Sequence, residues 1–119
     1  MAIYSLNHKA IGKKTQERPY TASAHVSYIT RARAMSRLEG ARMPVDKAGA
    51  MEFLRAGEDR DRANARVADK IMLALPIELT AEQRAALVRR YAEDITKGRA
   101  PWLAAFHDKG KDARNPHCH

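Results

Sequence analysis

Three of the five histidines in this 119-residue chain, His107, His117 and His119, lie among its last thirteen residues. Residues 116–119 (PHCH) are expected to begin a strand, in which alternate side chains share a face, so His117 and His119 project together. The nine residues after His107 are rich in Gly, Lys, Asp and Asn and are able to return the chain as a hairpin. Three imidazoles then face one point, which predicts a catalytic metal site with open coordination positions.

Two other interpretations of the chain end stay open at this stage. The terminal histidines could be exposed residues that bind nothing. Cys118 could be a further ligand, but strand alternation turns it to the opposite face, so we expect it to pack in the core. A single cysteine excludes a disulfide scaffold.

Tyr28 is a candidate nucleophile within a helical pattern that begins near Thr21. A phenol is mostly protonated at neutral pH, so a tyrosine that attacks phosphorus needs a neighbouring base or cation. His25 lies one turn before Tyr28 and Arg31 lies one turn after it, and both could assist. The alternative, which the residues alone favour, is that the Tyr28 ring is half-buried against a sheet.

The net positive charge of the chain predicts nucleic acid as a partner. The chain has 22 Lys and Arg against 14 Asp and Glu, a net charge of +8, and such a surface attracts polyanions. Many of the cations cluster in the first third, namely Lys9, Lys13, Lys14, Arg18, Arg31, Arg33, Arg37 and Arg42. A second group, Arg84, Arg89, Arg90 and Lys97, is expected to be a solvated helix face. Aromatic residues make up only 6%, which disfavours a binder built on stacking rings.

The pattern predicts one α+β domain over residues 1–119, with helices packed on a mostly antiparallel sheet. Strands are predicted at residues 2–7, 70–76 and 101–107 and at the final PHCH. Helices are predicted from Thr21 through the SRL at residues 36–38, from Asp46 to Asp69 with a break near Gly57, and from a capping box at Thr80 and Gln83 to Gly98. No apolar run has the length of a membrane span or a signal peptide, so we expect a cytoplasmic protein.

The segments MAIYSLNHKAIGKK, ASAHVSYI, ALPIELT and FHDKGKDARNPHCH, taken in this order, resemble the N-terminal part of the MobA/MobL plasmid mobilisation relaxases, which belong to the HUH class. The resemblance implies a site- and strand-specific DNA nickase and strand transferase acting at an origin of transfer. By position, Tyr28 corresponds to the nucleophile that forms a 5′-phosphotyrosyl link. His107, His117 and His119 correspond to the ligands of a divalent metal ion (Mn, Mg or Zn).

The resemblance also implies partners, namely single-stranded DNA at the origin of transfer and other relaxosome proteins. We expect DNA contacts from Lys13, Lys14, Arg18, His25, Arg31 and Arg33. Two features depart from the family pattern. Lys70 and Met72 occupy a strand that often carries acidic residues, and the chain stops at His119 where family members continue, so we expect a truncated relaxase domain of weak or no activity.

Two alternatives remain for the function. The first is a non-enzymatic, basic DNA-binding accessory protein of a mobilisation complex, for which the net charge would suffice. The second is a metal-dependent hydrolase that uses an activated water at His107, His117 and His119. A denaturant-resistant protein–DNA adduct that depends on Tyr28 separates both alternatives from the strand transferase.

Overall fold

The structure, a computed structural model, describes residues 6–119. Five strands and three helices alternate along the described chain, with one short 3-10 turn at Gly110–Asp112. The elements are β1 (Leu6–Gly12), α1 (Thr21–Ile29), β2 (Arg37–Ala41), α2 (Lys47–Arg60), β3 (Arg66–Ala74), α3 (Ala81–Thr96), β4 (Trp102–His107) and β5 (His117–Cys118).

The five strands form one sheet in the order β1-β3-β5-β4-β2, and every neighbouring pair is antiparallel. This confirms the predicted α+β class. The short strand β5 lies at the centre of the sheet, between β3 and β4. Its pairing extends past Cys118, because His119 exchanges two backbone hydrogen bonds with Ala105 at 2.8 and 2.9 Å. The hairpin predicted between His107 and His117 is therefore present.

The two faces of the sheet are covered by different helices. On one face, α3 packs Ala85 and Val88 against Leu73, Phe106 and Cys118 to form a buried apolar core. Cys118 is a buried free thiol, as predicted, and burial raises its pKa to about 12. Strand alternation turns the three histidines to the other face, where α1 and α2 pack together.

Helix α3 follows its sequence signals closely. The Thr80 side chain accepts a hydrogen bond from the Gln83 backbone, and the Gln83 side chain accepts one from the Thr80 backbone, which forms the predicted capping box. The helix ends at Thr96, followed by Lys97 and Gly98 with φ angles of 56° and 64°. The left-handed turn thus begins one residue before the predicted glycine.

The first two predicted elements differ from the structure. Of the strand predicted at residues 2–7, residues 2–5 lie outside the described part, and β1 runs on through His8–Gly12, beyond the predicted end of the strand. The first helix ends at Ile29 rather than near residue 38, because Thr30 caps it and donates its hydroxyl to the Val26 carbonyl. Residues 37–41 instead form β2 at the edge of the sheet, paired with β4.

The second predicted helical region is also too long. Helix α2 ends at Arg60 instead of near Asp69, and the interruption predicted at Gly57 does not occur. β3 begins at Arg66, ahead of the strand predicted at 70–76, because pairing with β1 supplies hydrogen-bond partners along its polar first half. Tertiary pairing has overridden a helical pattern here.

Arg84 and Asp108 form an ion pair between α3 and the residue that follows His107. Their N···O distance is 3.2 Å, and the two side chains are only 12% and 16% exposed. Arg84 also donates to the Leu79 carbonyl at 2.6 Å. The sequence placed Arg84 on a solvated face, which is wrong.

Asp108→Asn is expected to lower the free energy of unfolding by about 2–3 kcal/mol, because Arg84 keeps its charge in a largely buried position without a carboxylate partner. Urea denaturation at neutral pH measures this loss. Glu82→Gln is the matched control, since Glu82 pairs with Arg37 but is 82% exposed, and its loss of stability should be much smaller than that of Asp108→Asn. Equal losses from the two variants would contradict this role for the Arg84–Asp108 pair.

Candidate metal centre and the surrounding basic face

The rings of His107, His117 and His119 form a compact cluster on the face of the sheet opposite α3. Their centroids are 5.2, 4.8 and 5.1 Å apart. The candidate ligand nitrogens all lie within 4.8 Å of one another, so modest ring rotations bring three nitrogens to about 2.1 Å from a common point. Among residues 6–119, this is the cluster whose donor set fits a metal ion.

Two of the imidazoles are oriented by backbone carbonyls. His107, which is 2% exposed, has Nε2 at 2.7 Å from the Ile29 carbonyl oxygen. His117 has Nδ1 at 2.9 Å from the Asn115 carbonyl oxygen. A carbonyl oxygen only accepts, so these nitrogens carry the protons and donate, leaving Nδ1 of His107 and Nε2 of His117 with free lone pairs. Metal-binding histidines are typically oriented in this way.

The third imidazole, His119, is neutral at physiological pH. Burial, the largest cause, and the nearby His107, His117, His25 and Arg31 together lower its pKa to about 4. A neutral imidazole is the form that binds a cation. The site is thus prepared to accept a metal near pH 7 without first losing a proton from His119.

Acid is expected to destabilise the metal-free chain partly through His119. Its folded-state pKa of about 4 lies below the ordinary value of 6.5. Between these values the unfolded chain binds more protons, so stability is lost as the pH falls from 6.5 towards 4. Urea denaturation in EDTA across this range should show a shallower fall for His119→Gln than for the unaltered chain, while His8→Gln, at an exposed histidine, should not flatten it. Superimposable curves for all three proteins would contradict the expectation.

His25 on α1 adds a fourth imidazole beside the cluster. Its ring centroid lies 6.1 Å from that of His119. Burial lowers the pKa of His25, and the charge of Lys70 on β3 lowers it further. His25 therefore lies beside the histidine cluster, a proximity that its predicted place next to Tyr28 did not include.

Tyr28 is not packed against the sheet, so the half-buried environment that the residues alone favoured is wrong. Tyr28 is instead 59% exposed to solvent. The Arg31 guanidinium carbon lies 4.1 Å from the Tyr28 ring centroid, and Arg31 Nη1 donates to the Tyr28 carbonyl at 2.7 Å. The next residue, Ile29, accepts the hydrogen bond from His107. The charge of Arg31 also lowers the pKa of His119. Residues at and just after the end of α1 therefore interact with both the Tyr28 ring and the histidine cluster.

The predicted DNA-contacting cations have different environments. Lys14, Arg18 and Arg33 are exposed. Lys13 is half-buried and donates to the Asp61 carbonyl at 2.7 Å, so its ammonium holds the loop after β1 against the end of α2. Arg37 and Arg42 are paired with Glu82 and Glu93 of α3, away from the histidine face.

Sequence reasoning missed Lys70 as a member of this face. Lys70 was the first residue of the strand predicted at 70–76 and was noted only as a replacement for an acidic residue, because the neighbours of that strand in the sheet were not predicted. In the structure Lys70 lies on the same face of β3 as Ala74, which pairs with His117. The period of two along the predicted strand was the signal that could have placed Lys70 and Ala74 on one face.

The described residues thus form an antiparallel five-stranded sheet with three helices, in which the central strand and the residue after it place His117 and His119 beside His107. The sequence model of the MobA/MobL family matches residues 13–119, and the chain belongs to this family.

Two curated proteins and one solved structure are similar to the whole chain. Mobilization protein A of Escherichia coli is 34% identical over 127 residues, and the 43 kDa relaxation protein of Salmonella typhimurium is 30% identical over 131 residues. Both matches cover 100% of this chain but only 17% and 34% of those proteins. A structure titled "Molecular Basis of Vancomycin Resistance Transfer in Staphylococcus aureus" has a TM-score of 0.69 at 22% identity, covering 99% of this chain and 68% of that one.

None of the helices within residues 6–119 combines the length and the apolar character that a bilayer crossing requires.

Proposed function

We propose that this chain is the N-terminal part of a relaxase that nicks one DNA strand at a plasmid origin of transfer and so initiates mobilisation. The observation that carries the proposal is the cluster of His107, His117 and His119, linked through the Ile29 carbonyl to the helix of Tyr28. Membership of the MobA/MobL family supports it. So do the printed names of the two curated relatives, one for mobilization and one for relaxation.

In the proposed reaction, the Tyr28 hydroxyl oxygen attacks the phosphorus of the scissile phosphodiester. A bond forms between phosphorus and the tyrosine oxygen, and the bond to the 3′ oxygen breaks. The phenolic proton passes to a base, for which His25 one turn earlier offers an imidazole nitrogen, and the leaving oxygen gains a proton to become a 3′-hydroxyl. The 5′-phosphotyrosine keeps the energy of a phosphodiester, so the same site can rejoin the strand.

The side chains around Tyr28 have separate tasks in this scheme. Arg31 holds the phenol ring by a cation–π contact and places a positive charge beside the path of the phosphate. Lys14, Arg18 and Arg33 are exposed cations that bind the strand through its phosphates.

His107, His117 and His119 would hold the divalent cation, as Mn, Mg or Zn. When bound, such an ion supplies Lewis-acid stabilisation of the charge that develops on the non-bridging phosphate oxygens. The chain's own contribution is to fix two of the three imidazoles through the Ile29 and Asn115 carbonyls and to keep His119 neutral.

Relaxosome proteins, in the cytoplasm, are the proposed partners.

The test is an assay for a covalent adduct between the chain and single-stranded origin DNA labelled at its 3′ end, the end that stays on the protein in a 5′-phosphotyrosyl link, in the presence of Mn²⁺. A labelled band that survives denaturant supports the strand transferase. Salt-sensitive binding without an adduct or cleavage would instead indicate the DNA-binding accessory protein. Cleavage that leaves no label on the protein would indicate a hydrolase using water.

A further inference from the structure

Two lysines face each other across β1 and β3. Lys9 and Lys70 are direct partners in the antiparallel register, so their side chains leave the same face of the sheet side by side. Like charges placed directly opposite one another destabilise a strand pair. The pair is therefore a feature that folding alone does not favour.

The lysine pair lies on the histidine face of the sheet. Lys70 lies on the same face of β3 as Ala74, and Ala74 is the partner of His117. β3 is also the immediate neighbour of the strand that carries His117 and leads to His119. From strand spacing and rise, the Lys70 Cα lies roughly 8 Å from that of His119. Lys70 also lowers the pKa of His25, so its charge acts on the same region.

Neither ammonium group has an anionic partner among the residues that the structure describes. Within residues 6–119, no ion pair or hydrogen bond involves the side chain of Lys9 or Lys70. Residues 1–5 contain no Asp or Glu. The adjacent Asp69 projects from the opposite face, where it lies 3.1 Å from His8 and 3.7 Å from Arg66. Two uncompensated charges thus lie next to the histidine cluster.

We propose that Lys9 and Lys70 form a binding subsite for a backbone phosphate of single-stranded DNA, beside the phosphate that reacts at the histidine cluster. The inference rests on the proposed function and adds a subsite to it. A phosphate between the two ammonium groups relieves their repulsion, and lysine binds phosphate as a point charge. Lys70 is half-buried on a paired strand, so the subsite has a fixed position relative to His119.

The test measures binding of a fluorescein-labelled, single-stranded oligothymidylate to the 119-residue chain by anisotropy, over a series of NaCl concentrations. For the Lys9→Gln/Lys70→Gln double variant, the slope of log K against log salt should be smaller by about 1.4, since each phosphate contact on a single strand contributes about 0.7. The Lys9→Arg/Lys70→Arg double variant should keep the original slope.

The matched control is Arg90→Gln/Arg99→Gln, which removes one charge from α3, the helix that packs on the other side of the sheet, and one just after that helix. Its slope should equal that of the unaltered chain. An unchanged slope in the Lys9→Gln/Lys70→Gln variant, or an equal change in the control, would overturn the subsite.

Folding of the double variant is checked by thermal melting, which should show an unchanged or higher Tm because a repulsion has been removed. If the double variant does not fold, Lys9→Gln alone, at an exposed position, should lower the slope by about 0.7, and no change would overturn the subsite.

Adduct formation is measured in parallel with saturating single-stranded origin DNA labelled at its 3′ end. A smaller slope for the Lys9→Gln/Lys70→Gln variant, without any adduct from the unaltered chain, would support the lysine subsite and contradict the nicking proposal. An adduct together with an unchanged slope would support nicking and contradict the lysine subsite.

Discussion

Tyr28→Phe is expected to reduce the yield of the covalent protein–DNA adduct by roughly 10³-fold or more, because phenylalanine has no oxygen with which to attack phosphorus. The exposed position of Tyr28 makes the substitution mild for folding, since its ring is held by Arg31 rather than by the core. Loss of the hydroxyl should therefore leave both the melting temperature and the affinity for single-stranded DNA close to those of the unaltered chain.

The adduct is measured with origin DNA labelled at its 3′ end, under single-turnover conditions and long incubation, so that even weak activity of the 119-residue chain is recorded. Tyr91→Phe is the matched control, because Tyr91 packs on the α3 side of the sheet and should leave the yield unchanged. An adduct formed equally well by Tyr28→Phe would exclude Tyr28 as the nucleophile. A complete absence of adduct from the unaltered chain would contradict nicking by this chain.

His117→Ala is expected to weaken binding of a single Zn²⁺ or Mn²⁺ ion by more than about 100-fold. Loss of a group that merely orients a ligand already costs 10- to 100-fold, and this substitution removes one of three ligands. Isothermal titration calorimetry of the chain at neutral pH gives the affinity directly. Because the His117 side chain is only partly buried, the fold should persist.

His8→Ala provides the control for metal binding. His8 is an exposed histidine that contacts Asp69 on the α3 side of the sheet, and its removal should leave the affinity unchanged. Equal affinities for the unaltered chain and His117→Ala would mean that the ion binds elsewhere, and the histidine cluster would lose its assigned role.

The histidine cluster was predictable because it follows from short-range rules. The alternation of PHCH places His117 and His119 on one face and Cys118 in the core, and a nine-residue return brings His107 opposite His117. The capping box at Thr80 was equally local, since both of its hydrogen bonds join residues three apart. Such features depend little on the rest of the fold.

The edge strand β2 and the start of β3 could not be predicted in the same way. The residues of β2, RLEGA, are held by pairing with β4, some 60 positions later in the chain, and no local signal marks that partner. Residues 66–69 likewise fit a helical pattern until β1 pairs with them. In both segments, hydrogen bonds to a distant strand stabilise a β conformation that the local sequence does not favour.

The surroundings of Tyr28 show the same limit at the level of the site. Spacing along α1 placed His25 and Arg31 near it, but the exposure of the ring and the link from Ile29 to His107 depend on how α1 packs on the sheet. The Lys9–Lys70 pair needs the correct register of β1 with β3, which the predicted elements did not contain.

The most direct test of the central claim is a crystal structure of the chain grown with Mn²⁺, in which anomalous scattering locates the ion. The account predicts one ion bound by nitrogens of His107, His117 and His119, with the Tyr28 hydroxyl within about 7 Å, close enough to attack a phosphate that contacts the ion. An ion bound elsewhere, or a Tyr28 hydroxyl directed away and far beyond that distance, would contradict it.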